Sequence, residues 1–194
     1  MAKALNGKKV AILVANGFEQ AELTEPKRAL EDAGAQVTIV SPEHDQVKGW
    51  IHPDWGDMFK VDLQIERADA SDFDALVLPG GVQNPDHLRR LEAVQHFVRA
   101  FFEAGKPVAA ICHAAWTLID AGVVEGRTLT SYHSLQTDLR NAGAHWVDQE
   151  VVVDNGLVTS RDPDDLPAFN RKLLEEIAEG RHARQATLTS SPRS

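Results

Sequence analysis

Continuous apolar runs at residues 10–15, Ala75–Leu78 and Val108–Ile111 alternate along the chain with stretches of helical periodicity. Runs this short, bounded by Lys, Gly or Pro, predict strands buried on both faces, as in a parallel sheet. Residues 36–40 predict another strand, ended by Ser41 and Pro42. Residues 22–33 predict a helix with its acids early and Gly34 as its stop. Leu91, Val94, Phe97, Val98, Phe101 and Phe102 mark the apolar stripe of a second helix, closed by Gly105-Lys106-Pro107. Residues 114–121 and 135–142 predict shorter helices, each closed by Gly. Residues 151–153 and 157–159 flank Asp154-Asn155-Gly156, the signature of a hairpin. A last helix carries Leu166, Phe169, Leu173, Leu174 and Ile177, with Asp164 or Asp165 as its cap. Residues 43–64, broken by Gly49, Pro53 and Gly56, predict an excursion with a short hairpin. Val61, Leu63 and Ile65 alternate with polar residues as a half-exposed strand does.

Strand and helix in alternation predict an α/β domain with a mostly parallel sheet and helices on both faces. Right-handed crossovers then bring the strand ends Ala15, Leu78 and Ile111 to one rim. Ligands of such sheets bind outside the carboxyl ends of the strands. Three loops should meet there, carrying Glu19, Gly80-Gly81 and Cys112-His113.

Composition narrows the function. The chain has 194 residues, 43% apolar and 25% charged, which fits one globular domain. Residues 180–194, polar and rich in Arg, Ser and Thr, read as a disordered tail. A net charge of −9 disfavours nucleic acid as a main partner. The single cysteine rules out an intramolecular disulfide and a cysteine-rich zinc site, and suits a reducing cytosol. Residues 1–9 are too short and polar for a signal peptide, and residues 10–15 fall far below the ~18 apolar residues that span a bilayer. The expectation is a cytoplasmic protein without a membrane partner.

At Cys112 a buried strand runs straight into a helix. That junction requires a strained residue whose side chain is pushed out of the sheet, and small neighbours such as Ala110 and Ala114. A thiol at a helix start faces unpaired N–H groups, which favour thiolate. The His113 N–H can point at a developing oxyanion, and its imidazole can serve as acid or base, or only cap and pack. Buried, inert cysteine is the competing reading. Glu19 reads from spacing alone as a helix cap or solvated acid. In contact with sulfur it would be protonated and titrate as a coupled pair. Glu22 and Glu25 read as first-turn helix acids. Pro79-Gly80-Gly81 lets backbone approach a ligand closely, and Gly81 offers a second oxyanion N–H. Asp86 reads first as a helix cap. The other histidines show no metal-ligand spacing, and there is no nucleotide fingerprint, so neither metal nor cofactor is expected.

These segments resemble the PfpI family of intracellular proteases and general stress proteins. The resemblance rests on residues 10–13 with Gly17-Phe18-Glu19, residues 75–81, residues 105–113, residues 141–144, residues 150–154 and residues 158–170, and it implies a single domain over residues 8–179. That family belongs with the parkinsonism-associated deglycase in the class I glutamine amidotransferase-like superfamily. The resemblance implies a flavodoxin-like three-layer sandwich with a nucleophile elbow. It implies Cys112 as nucleophile, His113 as its partner and Glu19 as the acid on sulfur. Asp86 falls where the family often has a Glu that reaches a neighbouring subunit's histidine, and Ala114 where it usually has Gly. Trp116 falls near the pocket mouth. The resemblance further implies a homodimer or larger homo-oligomer. Family activities span peptidase, cofactor-free glyoxalase and deglycase. A small site with one thiol and acid/base neighbours favours attack on a reactive aldehyde or a glycated amine or thiol. Peptide cleavage is the alternative, and peroxide sensing through Cys112 oxidation a third.

Overall fold

The computed structural model describes residues 4–189. β1 (Lys9–Leu13) leads through β2 (Phe18–Glu19) into α1 (Gln20–Asp32) and β3 (Gln36–Ser41). β4 (Gln46–Ile51) and β5 (Asp54–Lys60) form the hairpin of the excursion, and β6 (Leu63–Gln64) returns to the sheet. β7 (Ala75–Leu78), α2 (Gln83–Leu88), α3 (Glu92–Glu103), β8 (Val108–Ile111) and α4 (Ala115–Ala121) follow. β9 (Thr128–Leu129), α5 (Gln136–Asn141) and β10 (His145–Trp146) make a small annex. β11 (Val152–Asp154), β12 (Leu157–Ser160), α6 (Leu166–Glu179) and α7 (Ala183–Thr189) complete the chain.

The central sheet has seven strands in the order β11-β12-β8-β7-β1-β3-β6, parallel except for the β11–β12 hairpin. Period two along the strands assigns residues to layers. Ala11, Leu13, Leu76, Leu78, Val108 and Ala110 pack with the α3 stripe Val94, Phe97, Val98, Phe101 and Phe102. Val10, Ile12, Ala75, Val77, Ala109 and Ile111 pack on the other face with Leu23 and Leu30 of α1 and Phe169, Leu173 and Ile177 of α6. Both faces are covered, which is why these strands read as unbroken apolar runs. The result is a flavodoxin-like sandwich, with β1, β7 and β8 ending at one rim.

Several local expectations are corrected. Ile65 opens a 3-10 turn rather than extending a strand. The turn before α6 is capped by Asp162, whose Oδ1 accepts the Asp164 N–H at 3.0 Å. Asp165 does stand at the N-cap position of α6, but its side chain makes no cap hydrogen bond and is held by Arg161, Nε to Oδ2 2.9 Å. The expected tail is ordered as far as described. The His182 N–H donates to Gly105 O at 2.7 Å. Gln185 is fully buried, its amide on the Lys106 carbonyl and its own carbonyl accepting from Arg127 Nη2 at 3.1 Å. The rest of that segment, residues 190–194, lies outside the described residues. Among the described residues, no helix is long and apolar enough to cross a membrane.

Candidate active site

β8 passes without a loop into a 3-10 turn at Cys112–Ala114 that continues as α4. Ile111 is still extended, at φ −126°, while Cys112 takes φ +63°. For a residue with a Cβ, that conformation costs on the order of 1–3 kcal/mol. The strained turn lifts the thiol off the sheet edge, as an elbow requires. Ala110 and Ala114, both buried, leave room for it. The Cys112 carbonyl accepts the Tyr132 N–H at 3.1 Å, which anchors the turn from a separate loop.

The glycine pair lies directly against this turn. A Cβ on Gly80 would sit 2.7 Å from both the Cys112 Cβ and the Ile111 carbonyl oxygen, and 2.8 Å from Glu22 Oε2. Gly81 has φ +77°, and a Cβ there would lie 2.6 Å from the Gly17 carbonyl oxygen. The backbone N–H groups of Gly81 and His113 both reach the sulfur. Asn84, fully buried at the start of α2, ties these loops together. Its Oδ1 accepts the Ala15 N–H at 2.7 Å, and its Nδ2 donates to the carbonyls of Pro79 and Gly80 at 2.9 and 3.0 Å.

The acid coupled to the thiol is Glu22, not Glu19. Glu22 is 0% exposed and its Oε2 accepts the Gly80 N–H at 2.7 Å. Oε1 is buried without a nitrogen or oxygen partner. The carboxyl as a whole neighbours the Cys112 thiol, close enough to couple with it electrostatically. Burial pushes the Glu22 carboxyl up to about 8, the Gly80 N–H offsetting part of that and the charge of Glu19 adding to it. Glu22 is therefore protonated at neutral pH. Phe18, buried edge-on to Phe59, pins the start of α1. Glu19 is left only half-buried at the cavity mouth, where burial raises its pKa and nearby His52 partly offsets the rise.

The thiol is harder to ionise than its place at a helix start suggested. Burial, and the charge of Glu22 once that carboxyl ionises, push Cys112 up, while the N–H groups of Gly81 and His113 pull it back. The helix behind the thiol is only seven residues long and enters through a 3-10 turn, so its dipole is a small term.

His113 touches the sulfur directly, Nδ1 to Sγ 3.1 Å. Its Nε2 lies 3.4 Å from Ser134 Oγ, and its ring stacks on Tyr132 at 4.6 Å and meets Trp116 edge-on at 5.2 Å. Burial, with some help from His133, pushes its pKa down to about 4. The imidazole is thus neutral at physiological pH, and in the tautomer protonated at Nε2 it can accept the thiol proton at Nδ1. Trp116 packs behind His113 instead of bordering the cavity. Its Nε1 donates to Asp138 Oδ2 at 2.9 Å.

A cavity of about 470 Å³ opens over the sulfur. Glu19, Trp50, His52, Tyr132 and Pro163 border it together with Cys112 and His113. Its size is that of a small-molecule site. Asp86 is exposed on α2. Among the described residues, no hydrogen bond or ion pair joins it to Cys112 or His113 within this chain. Sequence reasoning passed over Glu22, Asn84, His52 and Tyr132. The signal for Glu22 was its position on the buried stripe of α1, four residues before Pro26 and eight before Leu30.

Residues 8–176 match the DJ-1/PfpI family. A Bacillus subtilis protein named "Putative cysteine protease YraA" is 47% identical over 167 residues, covering 86% of this chain and 96% of its own. General stress protein 18 of the same organism is 45% identical over 170 residues, covering 87% and 96%. The crystal structure of Drosophila melanogaster DJ-1beta superimposes with a TM-score of 0.80 at 31% identity, covering 94% of this chain and 95% of that one.

Proposed function

The chain belongs to the DJ-1/PfpI family, and we propose that it is a cytoplasmic, cysteine-dependent stress-response enzyme acting on reactive aldehydes or early glycation adducts. The observation that carries this reading is the contact of Cys112 Sγ with His113 Nδ1 at 3.1 Å beneath a small cavity. Sulfur attacks the aldehyde carbon as its proton passes to Nδ1 and on to the carbonyl oxygen, giving a hemithioacetal. The N–H groups of Gly81 and His113, already directed at the sulfur, are suited to the developing oxyanion. With a 2-oxoaldehyde, the neutral imidazole of His113 removes the proton on the hemithioacetal carbon, and the adjacent carbonyl carbon is reprotonated. The resulting thioester is hydrolysed by water, which releases a 2-hydroxy acid and the free thiol. The protonated carboxyl of Glu22 spares the sulfur a facing charge during attack.

Methylglyoxal consumption by the purified protein tests this. Replacing Cys112 by Ser should reduce it to the buffer rate. Equal consumption by parent and Cys112→Ser would end the proposal.

A second reading, a cysteine peptidase, draws on the name of the Bacillus relative. It requires cleavage of an unfolded protein substrate that is lost with His113→Ala. The exposed Asp86 fits a role across a subunit contact, since it reaches neither Cys112 nor His113 of its own chain. A homodimer or larger assembly is part of the proposal for that reason.

A further inference from the structure

The C-terminal end of α6 carries charge of the wrong sign. Glu176 and Glu179 lie in its last turn, which holds no basic residue. Backbone carbonyls and the helix dipole already make that end negative. Lys172, one turn earlier, is taken by Glu175 at 2.5 Å. Two carboxylates at such a place are unfavourable unless a cation joins them.

His182 completes the arrangement from the other side of Gly180. Its backbone N–H is fixed on Gly105 O at 2.7 Å. Its ring packs over Gly156, where a Cβ would come within 2.8 Å of Cδ2. The ring is thereby held with Nε2 3.1 Å from Glu176 Oε2. These two atoms are buried, and neither has a hydrogen-bond partner, because their mutual approach is off the hydrogen-bond line. The Glu176 side chain is only 9% exposed. Ligand atoms of Glu176, Glu179 and His182 all lie within 4.8 Å of one another.

We propose that Glu176, Glu179 and His182 form a binding site for a zinc-class divalent cation, separate from the cysteine cavity. One imidazole and two carboxylates, with a fourth position open to water, suit that class better than Mg²⁺, which keeps an octahedral shell of oxygens. Ligand atoms about 2 Å from a common ion require only a small swing of the exposed Glu179. α6 begins just after Pro163 at the cavity and runs 14 residues, so the cation lies roughly 20 Å from the thiol. The family match ends at Glu176, so Glu179 and His182 lie beyond it. In the fold, the ion clamps α6 to the segment that leads into α7.

Equilibrium dialysis of untagged, full-length Cys112→Ser protein against Zn²⁺ tests the site without a competing thiol. One Zn²⁺ per chain is expected, with a melting temperature that rises with Zn²⁺ concentration and not with Mg²⁺. His182→Ala should abolish uptake. Glu179→Gln, at an exposed position that leaves the fold intact, should weaken it by roughly tenfold or more, since even outer partners of a metal carry that much. Co²⁺ bound in Zn²⁺'s place should show ligand-field bands without a thiolate charge-transfer band in the parent protein. The proposal is overturned by absent uptake, by equal response to Mg²⁺, or by uptake that Glu179→Gln leaves unchanged. In the last two cases Glu176 and His182 are only an ion pair.

Discussion

The Cys112 proton is held by opposing influences, and the largest that can be switched is Glu22. Above pH 8 that carboxyl ionises and sets a negative charge against the sulfur. The rise of thiol reactivity with pH should therefore be held back in the parent protein. Glu22→Gln keeps a polar group on Gly80 and removes the charge, so the midpoint for alkylation of Cys112 by iodoacetamide should move to lower pH. Glu19→Gln should leave it near the parent value, because Glu19 acts on the sulfur only through Glu22. A larger shift from Glu19→Gln than from Glu22→Gln would return the role to Glu19. The sequence made Cys112, His113 and the glycine pair legible because they abut strand ends. It hid Glu22 because early acids are common in helices for dipole reasons alone. What separates this one is its place on the stripe with Pro26 and Leu30. Pro26 also lacks the N–H that would bond the Glu22 carbonyl, which fits a helix start shaped for the site.

Among the elements, the strand-to-loop junctions specify the site more tightly than the helices do. Gly80 has no unusual dihedral, yet it is surrounded by Cys112, Ile111 and Glu22 at sub-contact distances for a Cβ. Gly80→Ala must push either the β8 backbone or the buried carboxyl aside, so it should destabilise by about 1–3 kcal/mol or more. Chemical denaturation measures that loss. It should be accompanied by a change in Cys112 alkylation rate, which a distant core mutation of equal cost would not produce. A stability change below about 0.5 kcal/mol would mean that this packing is looser than described. Four-residue apolar runs such as β7 and β8 were readable to the residue, since burial on both faces leaves no alternative pattern. The 3-10 turns at Cys112–Ala114 and Pro163–Asp165 were not, because tertiary contacts shape them. Residues 180–186 were misread for a related reason. Their composition is polar, and what orders them is hydrogen bonding to Gly105, Lys106 and Arg127 far away in sequence.

At the scale of the whole molecule, burying a carboxyl and an imidazole side by side couples folding to pH. Glu22 has a folded pKa raised from 4.5 to about 8, so its contribution is fully present below pH 4.5 and is lost as pH rises toward 8. His113 has a folded pKa lowered from 6.5 to about 4, so its contribution is present above pH 6.5 and is lost as pH falls toward 4. Between pH 4.5 and 6.5 the unfolded chain gains one proton on His113 and gives up one from Glu22, and the two slopes oppose each other. Between pH 6.5 and 8 only Glu22 acts, and stability should decline by up to about 1.4 kcal/mol per pH unit from this group. Urea denaturation at steps across that range should show the decline in the parent, and a flatter profile in Glu22→Gln. The same glutamine variant should gain stability relative to the parent as pH rises, because its amide cannot ionise in the buried position. A parent profile that is flat or climbs from pH 6.5 to 8, with Glu22→Gln parallel to it, would mean that the carboxyl is already ionised in the folded protein. The hydrogen bond to Gly80 would then outweigh burial, and the thiol would face a permanent charge that aldehyde attack must overcome.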